Sequence, residues 1–256
     1  MDLVKSGLKE LDRLLGGGFV NGKAYLLECA VGTKPRFLLS AFLKQGYLDG
    51  KPSRIDTLEY SISETIENLQ NSGFEAQKAA SEGRFLIVDY INDRTYGIDL
   101  VGPYFSISSE MSIHGVAALS AEAWDKFRGT NPIPPGFRFA MQSATALIRN
   151  FGFDETLKFI DSQIAFVKRG LGVFVITLNP ETLSPVNLAV FEEAFEGVIE
   201  LTIQEHERKF HRYIRVKNSP IPSFTPERVP YQIIDGGRSI SIAPVLPILT
   251  RDSTED

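Results

Sequence analysis

Short apolar runs alternate along this chain with segments whose apolar residues recur at helical spacing. The runs predict strands at residues 24–28, 55–59, 85–89, 137–142 and 173–178. The helical spacing predicts helices at residues 37–44, 63–72, 144–150 and 154–169. Because strands that alternate with helices pair in parallel, we expect an α/β fold with a mostly parallel sheet and helices on both faces.

The ends of two helices are suggested by residue type. Ser63 and Asp154 each precede a helical pattern and are predicted N-caps. Gly170 follows the second of these patterns and is predicted to be the glycine that ends the helix.

The later part of the chain departs from the alternation. Residues 198–203 and 209–216 predict two antiparallel strands with a polar turn between them. Residues 96–136 fit the pattern least, with one helical segment at 120–127 and a proline-rich end. We predict a single domain over residues 1–243, an elaboration at 96–136, and a proline-containing polar tail at 244–256.

Composition narrows the class of protein. Of the 256 residues 43% are hydrophobic and 23% charged, which is typical of a globular protein and excludes a disordered chain. The single cysteine, Cys29, excludes an intrachain disulfide and a cysteine-rich zinc site. A net charge of −5 argues against a protein that coats DNA regardless of sequence. With no export signal and no membrane-length apolar run, we expect a cytoplasmic protein without membrane contact.

The turn after the first strand is the first candidate site. Open α/β sheets bind ligands at the carboxyl ends of their strands. Residues 29–36 fill such a turn and lead into a helix, which is where a phosphate-binding loop lies. Gly32, Thr33, Lys34 and Arg36 are therefore the candidate ligand-binding residues of this loop. Cys29 is predicted to be a buried small side chain rather than a nucleophile, because no histidine is near it in sequence.

A glycine- and leucine-rich motif precedes this turn. It comprises Ser6-Gly7-Leu8, Leu11-Asp12, Leu14-Leu15-Gly16-Gly17-Gly18-Phe19-Val20, Gly22 and Tyr25-Leu26-Leu27. A generic helix with a glycine C-cap explains one of these glycines, but not three in register with a strand. The motif resembles the opening segment of KaiC/RadA-type ATPases of the RecA superfamily. Further segments of similarity extend the resemblance over residues 6–242, least in 96–135, and it implies a RecA-like fold.

The resemblance also shows where the chain departs from the family's phosphate loop. Cys29 stands where the family has a glycine. In an alignment without gaps, the family's Gly-Lys-Thr falls on Lys34-Pro35-Arg36. In an alignment that skips one residue, Lys34 takes the place of the catalytic lysine and Pro35 takes the next position. In both alignments the hydroxyl that would hold Mg²⁺ is missing.

Two further family positions are changed. Gln142 stands where the family has its metal-binding aspartate. Glu59 is retained from an acidic pair, whereas Tyr60 replaces the glutamate that the family pattern assigns to water activation. The resemblance therefore implies a degenerate ATPase without catalytic residues, without a metal site, and with no required cofactor. ATP binding at the vestigial loop and Glu59 is retained as an alternative.

These departures lead to three hypotheses about function. The first is a catalytically inactive KaiC/RecA-like pseudo-ATPase that acts as a regulatory or architectural protein. It would form a homo-oligomer, join a RecA/KaiC-type protein, or bind another partner. The second is an ATP-binding sensor that does not hydrolyse. The third is a DNA recombination or repair accessory that resembles RadA paralogues.

Basic residues near the end of the chain leave two interpretations open. Arg208, Lys209, Arg212 and Arg215 form either a patch for nucleic acid or an acidic partner, or a charged edge strand that blocks aggregation. The family pattern implies that Lys217 reaches a neighbour's nucleotide, although Asn218 replaces the arginine that follows; the alternative is a solvated charge at a strand end. His206 and His211 lack a third ligand, so no metal site is expected there.

Overall fold

The computed structural model describes residues 1–90, 104–106, 112–128, 133–206 and 208–244. The strands are β1 (Leu3–Val4), β2 (Phe19–Val20), β3 (Lys23–Cys29), β4 (Ser53–Thr57), β5 (Phe85–Asp89), β6 (Tyr104–Ser106), β7 (Arg138–Gln142), β8 (Val173–Leu178), β9 (Gly197–His206), β10 (Lys209–Asn218), β11 (Val229–Ile234) and β12 (Ser239–Ile242). The helices are α1 (Lys9–Leu14), α2 (Arg36–Leu48), α3 (Ile62–Asn71), α4 (Ala76–Ser81), α5 (Ile113–Arg128), α6 (Ala144–Phe151), α7 (Phe153–Gly170) and α8 (Pro185–Glu193), with a 3-10 turn at Pro180–Thr182.

Ten strands form one sheet in the order β12-β11-β10-β9-β3-β8-β7-β4-β5-β6. From β9 to β6 every neighbouring pair is parallel, whereas β9, β10, β11 and β12 pair antiparallel. The predicted mostly parallel sheet is therefore confirmed. The predicted antiparallel pair is β9–β10, and β11 and β12 extend it.

Helices cover both faces of the sheet, as expected. Side chains alternate along β3, so that Tyr25 and Leu27 enter one apolar core while Ala24 and Leu26 enter the other. The first core is closed by α1–α4 and the second by α5–α8. The central strand β8 is buried along its whole length, which explains its uninterrupted apolar sequence.

The three predicted helix-capping residues, Ser63, Asp154 and Gly170, are not the caps that the structure has. α3 begins after Ser61, not Ser63, because the Ser61 hydroxyl accepts from the Glu64 N–H while the Glu64 carboxylate accepts from the Ser61 N–H. α7 has Gly152 at its N-cap; Asp154 lies within the first turn. The left-handed residue that ends α7 is Leu171, with Gly170 still helical.

The segment at 96–136 is described in part. Residues 96–103, 107–111 and 129–132 lie outside the described residues, as do residues 245–256 of the predicted tail. The predicted helix at 120–127 is confirmed and is longer, as α5. Its Trp124 packs edge-on against Phe137 and Phe139 of the second core, so α5 is a structural layer rather than a separate elaboration. None of the helices in the described residues is long and apolar enough to cross a membrane.

Candidate functional site

An open cleft of about 360 Å³ lies at the carboxyl ends of β3, β4, β7 and β8. These four strands are parallel neighbours, so the turns that follow them meet at one edge of the sheet. The cleft is lined by Cys29, Ala30, Val31, Gly32, Lys34, Pro35, Arg36, Glu59, Tyr60, Gln142, Ser143, Thr145, Thr177, Leu178 and Asn179. Most of the residues predicted from the sequence are thus brought together here; Thr33 and Lys217 are not among the lining residues.

The loop between β3 and α2 is compact and turned back on itself. Gly32 has φ of +88°, and a Cβ there would lie 2.9 Å from Ile203 Cδ1. A glycine is therefore needed at this position for both its backbone angle and its space. Thr33 is fully buried, and its N–H and hydroxyl donate to the Ala30 carbonyl at 3.2 and 2.7 Å. The Thr33 hydroxyl consequently faces the protein and is not presented to the cleft.

Two residues from distant strands hold the loop from behind. Arg212 Nε donates to the Gly32 carbonyl at 3.0 Å, and the Tyr231 hydroxyl donates to the Thr33 carbonyl at 2.6 Å. In a trans peptide the C=O and the following N–H point in opposite directions. The Lys34 N–H therefore points away from the buried Tyr231. Within the described parts of the chain, the N–H groups of Gly32, Lys34 and Arg36 have no acceptor.

Two cations stand at the mouth of the cleft. Lys34 is exposed with a left-handed φ of 57°, and Arg36 is half-buried at the first position of α2. Neither forms an ion pair with any residue that the structure describes. Pro35 is the N-cap of α2 and provides no side-chain cap. The positive end of α2 therefore faces the cleft together with two uncompensated charges.

The other wall of the cleft carries the remaining predicted residues. Gln142, at the end of β7, is 8% exposed, and its amide has no hydrogen bond to any described residue. Glu59 is exposed and accepts from the Ser143 hydroxyl at 2.8 Å. Tyr60 separates the cleft from a small inner cavity, since Arg36, Tyr60 and Gln142 line both. In the part of the chain that the structure describes, no three His, Cys, Asp or Glu side chains are grouped so as to hold a metal ion.

Cys29 is buried, as predicted. Its thiol donates to the Leu27 carbonyl at 3.2 Å. Burial raises the pKa of this thiol well above its usual value, and the charges of Glu28 and Glu59 add to the effect. A protonated, buried thiol is a poor nucleophile, which agrees with a packing role.

Lys217 lies outside the cleft, in a cluster of charges between β3, β10 and α8. Its ammonium is 3.0 Å from Glu28 and 2.7 Å from Glu192. The interpretation of Lys217 as a solvated strand-end charge is therefore wrong, because the side chain is engaged by two carboxylates of its own chain. Glu28 is only 2% exposed, and its burial, together with the nearby Glu192, raises its pKa to about 7.

The predicted basic patch is not one surface. Alternation along β10 puts Arg212 on the same face as the buried Ile214 and Val216, and Lys209 and Arg215 on the opposite face. Arg215 pairs with Glu200 at 3.0 Å, whereas Arg208 lies in the turn before β10. The edge-strand alternative is also wrong, because β10 is paired on both sides, with β9 and β11.

Several site residues were not predicted. Ser143, Thr145, Thr177 and Asn179 line the cleft, and the Thr145 hydroxyl accepts from the Asn179 N–H at 2.9 Å. Asn179 immediately follows the predicted strand at 173–178, so its position in sequence could have identified it. The hydrogen bonds from Arg212 and Tyr231 span 180 and 198 residues, and no local pattern announces them.

Comparison with known proteins agrees with this geometry. Residues 4–110 match the model of a family described as "ATPase: KaiC". The chain is 33% identical over 99 residues to the UPF0273 protein MJ1359 of Methanocaldococcus jannaschii, a match that covers 38% of this chain and 40% of that protein. It is 23% identical over 254 residues to the UPF0273 protein MK0039 of Methanopyrus kandleri, covering 93% and 91%.

The chain is thus similar to KaiC-type ATPases, most clearly over residues 4–110. Its fold is that of the KaiC-like protein PH0186 of Pyrococcus horikoshii, with a TM-score of 0.74 at 19% identity over 95% of this chain and 99% of that one. The match to a circadian clock oscillator protein KaiC, from Parathermosynechococcus lividus, covers 33% of this chain and 16% of that protein. The chain therefore spans 40% of the length of MJ1359 and 16% of the length of this KaiC.

Proposed function

We propose that this KaiC/RadA-like chain does not hydrolyse ATP and acts as a regulatory or architectural protein. The observation that carries the proposal is that three departures from the family pattern line one cleft: the Pro35-Arg36 pair, Tyr60 and Gln142. Changes scattered over a surface could leave catalysis intact. Changes that meet around one ligand site alter every part of it at once.

Phosphoryl transfer to water depends on a metal ion and on an oriented water molecule. A Mg²⁺ ion prefers carboxylate and hydroxyl oxygens, whereas Gln142 offers a neutral amide and the Thr33 hydroxyl is already bonded to the Ala30 carbonyl. Among the lining residues of the cleft, Glu59 is the carboxylate that remains, and the Ser143 hydroxyl occupies one of its oxygens. The cleft offers one carboxylate and, at Tyr60, no carboxylate where the family pattern has its second glutamate, which supports the proposal.

The experiment is a measurement of phosphate release from Mg·ATP by the purified chain. We expect no release above that of a Lys34→Ala variant, which removes the one lysine of the loop. A second variant, Gln142→Asp with Tyr60→Glu, restores two family residues and serves as a probe of how far the scaffold still supports chemistry. Hydrolysis by the unmodified chain that disappears in Lys34→Ala would overturn the proposal.

Assembly with a second copy, or with another RecA/KaiC-type protein, is the second part of this proposal. The exposed apolar side chains of α8 support it: Val186 and Val190 lie one turn apart with 72% and 41% exposure. A partner that covers both would remove apolar surface from water. We further propose a cytoplasmic location, which the single cysteine supports.

Light scattering coupled to size exclusion tests the assembly. We expect a mass above that of one chain, and a shift towards the monomer for Val190→Glu. Leu48→Glu is the matched control, because Leu48 is also an exposed apolar residue but lies on α2, which packs on the opposite face of the sheet from α8. A monomer at all concentrations would contradict self-assembly.

A non-hydrolysing ATP sensor is the second candidate, and the unpaired N–H groups and cations of the loop favour it. The DNA-accessory hypothesis stays a prediction without support from the geometry, because Lys209 and Arg212 face opposite sides of the sheet.

A further inference from the structure

Gln142 is a buried polar side chain without a partner. It is more than nine-tenths buried at the end of β7, yet its amide bonds to none of the described residues. The Gln142 amide atoms are not among the fully enclosed unpaired polar atoms of the described residues, so the small exposed part of this side chain includes its amide and is available to a ligand. Gln142 lines the cleft directly, and its amide can both donate and accept there.

Other donors line the same cleft. The N–H groups of Lys34 and Arg36 have no acceptor in the described chain, and the side chains of both residues also line the cleft. Arg212 and Tyr231 hold the Gly32 and Thr33 carbonyls on the far side of the loop, which keeps these oxygens from facing an incoming anion. The groups that line the cleft near the loop are therefore mainly hydrogen-bond donors, which suit an anion.

Among the lining residues of the cleft, Glu59 carries the negative charge that would repel an anion, and this charge is partly compensated. Glu59 lies on the wall across from the loop, where the Ser143 hydroxyl donates to it. Ser143 is the N-cap of α6, so the carboxylate lies at the positive end of a helix. The charge of Glu59 is therefore partly neutralised before any ligand enters.

We propose that this cleft binds a polyphosphate group directly, without a divalent cation, and that the Gln142 amide donates to one of its oxygens. The inference deepens the proposed function and rests on it, because a site that recognises phosphate without a metal lacks the ion that hydrolysis uses. In this arrangement the amide takes the position that the family pattern gives to a metal-binding aspartate. Arg212 and Tyr231 are positioning residues that orient the loop.

This mode of binding reverses the expected effect of magnesium. A carboxylate at position 142 would need Mg²⁺ to bridge it to phosphate, whereas an amide donor bonds to phosphate unaided. Mg²⁺ in solution neutralises the phosphate oxygens that Lys34 and Arg36 attract. Excess Mg²⁺ is therefore expected to weaken binding.

Calorimetric titration of the full chain with ATP, with inorganic tripolyphosphate and with inorganic phosphate tests the proposal. We expect binding of ATP and tripolyphosphate in EDTA and weaker binding in excess MgCl₂. Equal affinity for the two would identify the phosphate chain alone as the ligand, and tighter ATP binding would add the nucleoside; both outcomes support the proposal. No binding of either in EDTA, or binding that requires Mg²⁺, would overturn it.

Two variants at one position make the test specific. Gln142→Leu keeps the size and removes the donor, and should weaken binding in EDTA by about tenfold, the usual effect of a lost hydrogen bond to a charged group. Gln142→Glu should lose binding in EDTA and gain it in MgCl₂. Lys209→Ala, an exposed cation of β10, is the control and should bind normally. Unchanged affinity of a folded Gln142→Leu protein would remove Gln142 from the site.

The two proposals can fail separately. Hydrolysis of Mg·ATP that depends on Lys34 would refute the absence of catalysis. A chain that neither hydrolyses nor binds any of the three probes would leave the pseudo-ATPase standing and refute only the polyphosphate site.

Discussion

Two groups of polar residues in this protein differ in how many of their hydrogen-bonding groups have a partner. Under α5, the buried Arg54 donates to Asp56, to the Tyr90 hydroxyl, and to both the carbonyl and the hydroxyl of Ser120. In the cleft, the Gln142 amide and the Lys34 N–H have no acceptor in the described chain. A closed network holds two layers together, whereas an open set of donors is suited to a ligand. Burial alone therefore does not separate structural from binding residues; the number of filled hydrogen bonds does.

The largest expected effect is on the closed network. Arg54→Met leaves Asp56 buried without its counter-ion and should lower the free energy of unfolding by about 3–5 kcal/mol. Denaturation with urea measures the loss. Arg54→Met combined with Asp56→Leu should be less destabilising than Arg54→Met alone, because no isolated charge remains. Equal losses would show that packing, rather than the ion pair, dominates this layer.

An intermediate effect on stability is expected at Glu28. Its carboxylate is buried like that of Asp56, but Lys217 pairs with both Glu28 and Glu192. The pKa of Glu28 in the folded protein is about 7, above the ordinary value of 4.5, so the folded state binds a proton more tightly than the unfolded chain. Its contribution to stability is present below pH 4.5 and is lost as the pH rises towards and through 7. Urea denaturation between pH 5 and 8 should show this decline, and Glu28→Gln should reduce it. An unchanged slope in the variant would assign the decline to another group.

A smaller effect on stability is expected where β11 contacts the loop between β3 and α2. Tyr231→Phe removes one hydrogen bond to the Thr33 carbonyl and should cost about 1 kcal/mol of stability. It should also weaken tripolyphosphate binding, because the loop is held less firmly. Tyr213→Phe on β10 is the control, since that side chain lies on the strand face opposite Arg212. Lowered stability with unaltered binding would mean that Tyr231 only packs.

The smallest expected effect on stability is at Gln142, in the open set of donors of the cleft. Gln142→Leu should change stability by less than about 1 kcal/mol, since the Gln142 amide has no hydrogen bond to the described residues that the substitution would remove. Thermal unfolding measures the change. A loss as large as that of Arg54→Met would show that Gln142 is a structural residue, and the contrast between the two regions would fail.

The sequence predicted the central strands and the cleft because both follow from one local rule, the alternation of apolar runs with helices. Glu59 and Gln142 were identified through the resemblance to the KaiC/RadA family, whose acidic residues follow the corresponding strands. A buried charge defeated the same rule: Arg54 interrupts the apolar pattern at the start of β4, so the strand was predicted two residues too late, at 55–59. The interior position of β10 depends on β11, whose sequence contains Pro230 and was not predicted as a strand. Contacts such as Arg212 with Gly32 join distant parts of the chain and leave no local pattern.

The anchoring of the phosphate loop has a consequence for the order of folding. Its two hydrogen bonds come from residues 180 and 198 positions further along the chain. Contacts between such distant residues form slowly because a long loop must close first. The loop gains these two hydrogen bonds only once β10 and β11 have joined the sheet. The cleft should therefore be among the last parts of the molecule to reach its final shape.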